Sequence, residues 1–588
     1  MINNRKLNLI CLVLGLLLLL MYGLMARSVQ PVEAGPQLRL CNRQHLPIAV
    51  RQGPVAPPPT AQPVASTAVP LCPPVFPDFN GDGYADLALG TPHEDVIQGD
   101  TFVDAGAAHV IYGSDHGLEG FAAQAAVDDQ LWSRAVAGMA TLPLGDADHF
   151  GGSLGIGDFN ADGYDDLAIG VPGSVAIGHL GAGAVQVLYG TPAGLTTTDT
   201  QTWTQASPGI AGIAADLDNF GSSLVASDFN GDGYADLAIG VTNEMVDEMI
   251  RAGAVHIIYG SADGLSTPGA GGGLPAEYLT QETFPFFAAA EPNDQFGTTL
   301  AAADFNDDGF ADLAVGVPSE DFANGLDNAG IVQIYHGSAQ GIVDPDPSVP
   351  GPFAIHADTQ GVDNAREAFD YFGYALAAAD FNNDGFADLA IGTPYETHGS
   401  GVGALQGAGA INIVFGASFG LNPTAGAPIW HQDSPGMAGE AAAEDYFGWS
   451  MTAADFDGDG YIDLAIGVPL DKVLGAAIGS VHIMYSDEDG PNADRDVQRF
   501  LPGNPEVDDR FGITVTSLDT NGDSFPELIV GASHDDVPGI AATQVGSVFE
   551  FFSDATGVTI TGINHWYQGH NGLSGVPEDM DHMGASLP

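Results

Sequence analysis

Short apolar runs that alternate with small or polar residues return along most of the chain. Runs of this kind place every second side chain on one face, and they are rich in β-branched and aromatic residues, which is typical of β-strands. Glycine interrupts the pattern too often for long helices. The pattern therefore predicts an all-β protein, with clear strands at 107–112, 254–259 and 480–485.

One acidic phrase of nine residues divides these strands into seven units. A Phe-Gly pair lies eight residues before most of the phrases, and the phrases start 64 to 80 residues apart. A unit of this length suits one four-stranded propeller blade. The repeats therefore predict a seven-bladed β-propeller of four-stranded antiparallel blades. The phrases begin at Asp78, Asp158, Asp228, Asp304, Asp380, Asp455 and Asp519.

The two ends of the repeat array complement each other. The first unit has no Phe-Gly pair, whereas residues 581–587 at the C-terminus resemble residues 148–154 of the second unit. A C-terminal strand that completes the first blade would close the ring and remove exposed strand edges. The alternative is a truncated eighth unit. We predict closure, with a propeller domain over residues 75–588.

The N-terminal segment differs from the repeats. Two basic residues precede an apolar run over residues 7–26, which is typical of a signal peptide or an uncleaved signal anchor. Residues 1–34 are therefore predicted to direct export, so that the protein is secreted or lies at the cell surface, with a membrane tether through 7–26 if the leader stays. Residues 35–74 are rich in proline and are predicted to form a disordered linker.

The amino-acid composition excludes some classes of function. The 588 residues include 13 basic and 76 acidic side chains, for a formal net charge of −63. So negative a surface repels phosphate backbones, which excludes nucleic acid as a partner. A hydrophobic content of 45% still supplies a folded core. The three cysteines cannot form a disulfide framework, although Cys41 and Cys72 either pair or stay free in the linker, so packing or bound ions must stabilise the fold.

The nine-residue phrases carry the candidate chemistry. Oxygen donors stand at positions 1, 3, 5 and 9, and a glycine at position 6 of most phrases allows a sharp turn. Position 7 is always tyrosine or phenylalanine; we expect its backbone carbonyl to be a ligand and its ring to pack between strands. The arrangement resembles the first part of an EF-hand loop and predicts a hard-cation site in each phrase.

The predicted metal ligands are Asp78, Asn80, Asp82, Tyr84 and Asp86; Asp158, Asn160, Asp162, Tyr164 and Asp166; Asp228, Asn230, Asp232, Tyr234 and Asp236; Asp304, Asn306, Asp308, Phe310 and Asp312; Asp380, Asn382, Asp384, Phe386 and Asp388; Asp455, Asp457, Asp459, Tyr461 and Asp463; and Asp519, Asn521, Asp523, Phe525 and Glu527.

Calcium is the cation that this donor set favours. All-oxygen ligation suits Ca²⁺ better than Mg²⁺, which prefers smaller and more hydrated sites, and it suits zinc poorly. Without metal, each loop would hold three or four mutually repelling carboxylates. We therefore expect up to seven structural Ca²⁺ ions, one in each blade. The Asp519 loop has Ser524 in place of glycine and ends in Glu527, so it is predicted to bind most weakly.

Three phrases recur in a fixed order: Phe-Gly, the acidic loop, and a Gly-x-Pro ending such as residues 170–172. In this order they resemble the FG-GAP repeats of the integrin α-subunit β-propeller, over residues 78–588. The resemblance implies that the loops join the first and second strands of each blade on one face, and that partners bind the other face or its rim. Because the leg regions and the inserted adhesion domain of integrins are missing, we expect a free-standing, exported, prokaryotic relative.

These features predict a calcium-stabilised extracellular propeller that acts as an adhesion or protein-binding module, with an unknown protein or glycan ligand on the face opposite the calcium loops. A carbohydrate-binding, lectin-like propeller with aromatic residues in equivalent pockets is the alternative. A hydrolase is a second alternative, because residues 151–155 match the Gly-x-Ser-x-Gly elbow. Since Ser153 recurs as a serine or threonine in other Phe-Gly strands, we assign it a structural role and predict no catalytic residue.

Overall fold

Seven antiparallel sheets follow one another along the chain, each built around one acidic loop. The computed structural model describes residues 77–588 except 99, 121–128, 140–141, 268–272, 284–288, 324, 344–350, 402, 474, 494–496, 502–505, 538, 541 and 572. The predicted export segment, the linker, and Cys41 with Cys72 lie outside the described residues. We number the sheets as blades 1 to 7 in the order of their acidic loops.

The predicted all-β fold with seven four-stranded, antiparallel propeller blades is confirmed. In blades 2 to 7 the four strands follow chain order from the first to the last position in the sheet. Among the described residues, no helix has the length and hydropathy of a membrane span. Helical structure there consists of two short 3₁₀ turns, Gln281–Thr283 and Pro423–Ala425.

The strands match the four positions of the blade. First strands are Leu154–Gly157, Phe220–Ser227, Thr299–Ala303, Ala375–Ala379, Ser450–Ala454 and Phe511–Leu518. Second strands are Leu87–Thr91, Asp166–Val171, Asp236–Val241, Asp312–Val317, Asp388–Thr393, Asp463–Val468 and Glu527–Ala532. Third strands are Ala107–Ile111, Ala184–Tyr189, Ala254–Ile258, Ile331–Tyr335, Ala410–Val414, Ser480–Met484 and Ser547–Phe551. Fourth strands are Gln130–Trp132, Thr196–Trp203, Glu277–Leu279, Phe353–Ile355, Ile429–Trp430, Gln498–Phe500 and Asn564–Trp566.

Three blades carry additional two-stranded hairpins. They pair Val96–Gln98 with Asp100–Phe102, Lys472–Val473 with Ala476–Ala477, Ser486–Asp487 with Gly490–Pro491, and Ser553–Asp554 with Gly557–Val558. The first two hairpins lie between the second and third strands of blades 1 and 6. The other two follow the third strands of blades 6 and 7.

The C-terminal residues occupy the first-strand position of blade 1. Gly90 N–H donates to the Ser586 carbonyl over 2.9 Å, just as Gly170 N–H donates to Ser153 in blade 2 over 2.9 Å. Met583 takes the place that phenylalanine has in other blades and is fully buried. The end of the chain is therefore joined to its first described strand.

Backbone contacts between neighbouring blades explain a glycine before each third strand. Gly106 has φ +82° and forms a parallel bridge with Phe150 of the next blade. A Cβ atom there would lie 2.4 Å from the Phe150 backbone nitrogen and oxygen. Only glycine permits that approach, and the same bridge recurs from Gly183 to Phe220 and from Gly546 to Met583.

Hydroxyl groups form a second connection between blades. Ser153 Oγ donates to the Gly221 carbonyl of the next blade over 2.8 Å, and Ser223 Oγ donates to Gly297 over 2.6 Å. The repetition supports the structural role predicted for Ser153, because its hydroxyl is occupied in the same way as its counterparts.

Candidate functional site

In blades 2 to 7 each acidic loop joins the first strand to the second, whereas in blade 1, whose first strand comes from the C-terminus, the loop leads into the second strand. All thirty-five predicted ligands lie in these seven nine-residue phrases. The loop of blade 2 illustrates the shared geometry. Asp158 Oδ1 accepts from Asp162 N–H over 3.1 Å, and its Oδ2 accepts from Gly163 N–H over 2.9 Å. Asn160 Oδ1 accepts from Asp162 N–H over 2.8 Å, and Asp162 Oδ1 accepts from Tyr164 N–H over 3.1 Å. The backbone thus gathers the donors at positions 1, 3 and 5 around one turn.

The carboxylate at position 9 anchors the loop to the blade. Asp86 is buried; its Oδ2 accepts from Phe79 N–H over 2.8 Å and its Oδ1 from Gly113 N–H over 3.0 Å. The equivalent pair of bonds holds Asp166 and Asp236. A carboxylate oxygen has more than one lone pair, so these hydrogen bonds leave room for metal ligation.

Burial raises the pKa of the position 9 carboxyls when no cation is bound. Desolvation is the main cause, and it raises the pKa of Asp166, Asp236, Asp388 and Asp463 to about 8. A divalent cation beside these groups would favour their ionised form. The donor set therefore fits a bound cation, and the loops are polar sites whose charge a cation would balance.

Blade 6 has the most convergent carboxylates. One ligand oxygen from each of Asp455, Asp457 and Asp463 lies within 4.8 Å of the other two, which no other trio of metal-binding side chains in the described residues matches. Position 3 is aspartate here and asparagine in the other six loops. The extra carboxylate adds a charged donor that the other six loops lack at this position.

Blade 4 has a buried imidazole beside its position 9 carboxylate, which the sequence analysis missed. His336 Nδ1 lies 3.0 Å from Asp312 Oδ2, and both side chains are fully buried. The same ring nitrogen lies 3.3 Å from Asn306 Nδ2. The sequence signal was His336 itself, which stands six residues after the glycine that precedes the third strand, where blades 1 to 3 have Tyr112, Tyr189 and Tyr259.

In blade 7 the last predicted ligand, Glu527, already accepts hydrogen bonds from residues of its own loop. Glu527 Oε2 accepts from the Thr520 N–H and hydroxyl, each over 2.8 Å, and its Oε1 accepts from Asn521 Nδ2 over 2.7 Å. Ser524 has φ +73°, a region that favours glycine. Both features are consistent with weak binding at this loop, which stays a prediction.

The expectation that position 7 rings pack between strands is wrong for four of the loops. Tyr164 of blade 2 covers Gly81 of blade 1, where a Cβ atom would lie 2.5 Å from the ring. Phe310, Phe525 and Tyr84 cover Gly231, Gly458 and Gly522 in the same way. These rings connect one loop to the preceding loop, because a glycine there leaves a flat surface.

Backbone bonds also link successive loops. The N–H at position 8 donates to the position 1 carbonyl of the preceding blade. The pairs are Asp165 to Asp78 (3.2 Å), Ala235 to Asp158 (3.0 Å), Ala311 to Asp228 (3.0 Å), Ala387 to Asp304 (3.1 Å) and Ala85 to Asp519 (3.0 Å). The last pair joins blade 1 to blade 7, whereas Pro526, at position 8 of blade 7, has no N–H to donate. Order in one loop therefore supports order in its neighbours from blade 7 through blade 1 to blade 5.

The ends of the blade strands that lie opposite the acidic loops carry aromatic side chains. An aromatic patch lies there on blades 5 and 6, formed by half-buried Tyr371, Tyr374, Tyr395, Tyr446 and Trp449. Ring centroids are 4.9 Å apart for Tyr371 and Tyr395, 4.9 Å for Tyr395 and Tyr446, and 4.8 Å for Tyr374 and Trp449. The corresponding positions of other blades are mostly not tyrosine or tryptophan, for example Asn219 and Gln295.

The FG-GAP repeat family matches residues 75–111, 150–188, 220–258, 296–335, 372–411 and 447–484. The chain carries six FG-GAP repeats. Its FG-GAP propeller is thus related to those of integrin α-subunits, as the motifs predicted. Blade 7 lies beyond the matched residues, and its loop departs from the others at Ser524 and Glu527.

Known relatives match part of the chain. Phosphatidylinositol-glycan-specific phospholipase D of Bos taurus is 32% identical over 179 residues, which is 30% of this chain and 19% of the relative. Integrin alpha-5 of Xenopus laevis is 27% identical over 263 residues, 44% of this chain and 21% of the relative. The matches thus span about a fifth of each relative. A solved exotype rhamnogalacturonan lyase, YesX, is 11% identical with a TM-score of 0.31 over 79% of this chain and 66% of its own, a likeness too low to support an argument.

Proposed function

We propose that this protein is a calcium-stabilised extracellular propeller that binds a protein partner, as an adhesion module does, through the face opposite its acidic loops. The observation that carries the proposal is a set of exposed apolar side chains on that face. They lie on the segments between the second and third strands of blades 1 to 3. The most exposed are Ile97 (72%), Ile177 (69%), Leu180 (65%) and Ile250 (57%).

Such side chains favour a protein interface. Large aliphatic groups in water gain free energy when a partner covers them, and exposed apolar groups that cluster mark interaction sites. The segments that carry them differ in length and sequence from blade to blade, whereas the strands do not. Variable loops on a constant scaffold are where binding specificity usually lies.

Calcium would act through the scaffold. Up to seven Ca²⁺ ions in the acidic loops would balance buried carboxylates and order a ring of loops that are already bonded to one another. The blades would then hold the opposite face rigid without contact between metal and partner. Export through residues 1–34, to a secreted or cell-surface location, is part of the same proposal, because extracellular calcium is abundant enough for weak sites.

The distribution of aromatic rings does not favour a lectin with equivalent pockets. The aromatic patch lies on two adjacent blades, and the matching positions elsewhere include amide, imidazole and guanidinium side chains. A hydrolase has one supporting observation, the similarity to a phospholipase D over 30% of this chain. Against a hydrolase, Ser153, the candidate nucleophile, donates its hydroxyl to Gly221.

Binding arrays test this proposal. The full chain in millimolar Ca²⁺ is applied to an array of purified extracellular proteins and to a glycan array, beside an Ile177→Ser/Leu180→Ser variant. We expect saturable binding to a protein that the variant loses. The matched control is Phe419→Ser/Ile560→Ser, which changes two exposed apolar residues that follow third strands at the acidic-loop end (57% and 73% exposed). Binding only to glycans, or equal loss in the control, would contradict the proposal.

A further inference from the structure

Four histidines meet on the face opposite the acidic loops, where blade 7 meets blades 1 and 2. His93 and His534 follow the second strands of blades 1 and 7. His582 and His149 precede Met583 and Phe150, which begin the Phe-Gly-type segments of blades 1 and 2. The four imidazoles thus come from three blades and include the C-terminal segment that completes the ring.

The ring spacings suit imidazoles that share a metal ion. The His93 centroid lies 5.0 Å from that of His149 and 5.0 Å from that of His582, with the planes at 72° and 83°. Two imidazoles on one tetrahedral ion, with metal–nitrogen distances of about 2.0 Å, have centroids about 5 Å apart. His534 stacks on His582 at 4.6 Å and 15°, so it would have to turn before it could join them.

Hydrogen bonds prepare two of these rings, His93 and His149, as ligands, and a third ring, His534, contacts a hydroxyl group. His93 Nδ1 lies 3.2 Å from Asp104 Oδ1, His149 Nδ1 lies 3.2 Å from the Pro92 carbonyl, and His534 Nδ1 lies 3.0 Å from Ser533 Oγ. A carboxylate or carbonyl oxygen beside Nδ1 holds the proton there and leaves the Nε2 lone pair for a metal, as in carboxylate–histidine–metal groups.

His582 adds a nitrogen that the protein leaves unsatisfied. Its Nε2 is buried and has no hydrogen-bond partner. An unpartnered buried nitrogen lowers stability, whereas a metal ion would satisfy it. The contacts to His93 and His534 place this nitrogen's ring in the middle of the cluster.

We propose that His93 and His582, completed by His149 or His534, bind one divalent transition-metal ion of the zinc type. Imidazole nitrogen suits Zn²⁺, Cu²⁺, Ni²⁺ and Co²⁺, whereas Ca²⁺ requires oxygen. In the described residues only Asp455, Asp457 and Asp463 already gather three ligand atoms within 4.8 Å. Binding therefore requires rotation of the half-buried imidazole side chains. The bound ion would join the C-terminal segment to blade 1 and strengthen the closure of the propeller.

Calorimetric titration tests the site. Zinc chloride is added to the full chain in saturating Ca²⁺, so that the acidic loops are occupied. We expect one zinc site in the wild type and at least a roughly tenfold loss of affinity in His93→Ala/His582→Ala, because two ligands are removed. The matched control is His179→Ala, since His179 also pairs its Nδ1 with an aspartate (Asp216, 3.1 Å) and is 45% exposed, against 37% for His93.

A second variant and a second measurement guard against misfolding. His93→Gln keeps the bulk of a partly exposed side chain, and Co²⁺ reports imidazole ligation by its visible absorption. We expect the wild type and His179→Ala to give the absorption band and a zinc-dependent rise in melting temperature, and His93→Gln to lose both. Zinc affinity that is equal in the wild type and both cluster variants, or no saturable zinc binding by the wild type, would overturn the proposal.

Discussion

At the scale of single residues, a histidine in place of the tyrosine or phenylalanine that ends or follows the other third strands distinguishes blade 4 from the other blades. His336 places a buried ring nitrogen 3.0 Å from Asp312, the position 9 donor. Burial raises the pKa of Asp312, and the adjacent imidazole opposes part of that rise. The imidazole therefore occupies a side of the carboxylate that a calcium ion would need.

Replacement of His336 by alanine should separate its role as a partner of Asp312 from its competition with a calcium ion. The metal-free variant should lose about 2 kcal/mol, because Asp312 loses a buried polar partner. In Ca²⁺ part of that loss should return, since the Asp304 loop can then bind the ion without competition. Thermal unfolding in chelator and in millimolar Ca²⁺ measures both effects.

His256→Ala is the matched control for this prediction. His256 is also fully buried, but it packs against Phe220 and Tyr278 and its ring nitrogens have no hydrogen-bond partner. Its replacement should lower the melting temperature equally with and without calcium. If His336→Ala behaves in the same way, competition at the Asp304 loop is wrong.

At the scale of the element, the closing strand of blade 1 depends on side-chain burial more than on ladder length. Its described pairing with the second strand is a single bridge between Gly90 and Ser586. Met583, in contrast, is fully buried among residues of blades 1 and 7, including Leu89 and Val548. The apolar contact therefore contributes to the attachment, together with backbone bonds to blade 7 such as that from Met583 N–H to the Val545 carbonyl over 3.0 Å.

Met583→Ala should destabilise the protein by about 3 kcal/mol, the usual effect of removing a large buried side chain. Denaturant unfolding in Ca²⁺ measures the change. Met580→Ala is the control, because Met580 lies in the same segment but is 56% exposed, and it should change stability by less than about 0.5 kcal/mol. Equal effects of the two substitutions would mean that the C-terminal segment is not held by its buried face.

The elements themselves were largely predictable. Second and third strands are buried on both faces and rich in β-branched residues, so the sequence pattern predicted them clearly. The Phe-Gly pair and the acidic loop together defined the repeat unit. Most fourth strands are short, as at Ile429–Trp430, and the two strands of the hairpin from Val96 to Phe102 have three residues each, so periodicity carried little information there. The stacking of Tyr164 on Gly81 was not predictable, because it joins side chains from different units and depends on the twist between blades.

At the scale of the whole molecule, buried carboxyls lie at both ends of the blades. Besides position 9 of the acidic loops, a second set follows the second strands. Gln205 Nε2 donates to Glu244 over 2.5 Å and Gln281 Nε2 donates to Glu320 over 2.6 Å. In each pair the glutamine belongs to one blade and the glutamate to the next, so the acids are part of the contact between blades.

These acids should make metal-free stability fall as pH rises. Burial raises the pKa of Glu94 and Glu396 to about 8, of Glu320 to about 9, and of loop acids such as Asp166 and Asp463 to about 8. In the unfolded chain these groups ionise near pH 4. Between those pH values the folded state binds more protons, so its stability is greatest at low pH and is lost as pH rises through about 8.

The window from pH 7 to 8.5 isolates this effect and shows the contribution of calcium. Buried histidines such as His109 and His256 do not contribute in this window, since burial lowers their pKa values to about 4 and about 3 and unfolded histidine titrates near 6.5. In chelator, each carboxyl that stays protonated lowers stability by about 1.4 kcal/mol per pH unit. Calcium would keep the loop acids ionised throughout this pH range, so these acids would no longer contribute to the fall in stability. The melting temperature should therefore fall steeply with pH in chelator and less steeply in Ca²⁺. Equal slopes would mean that the loops do not bind the ion; a rise in chelator would mean that the buried acids are ionised in the metal-free fold.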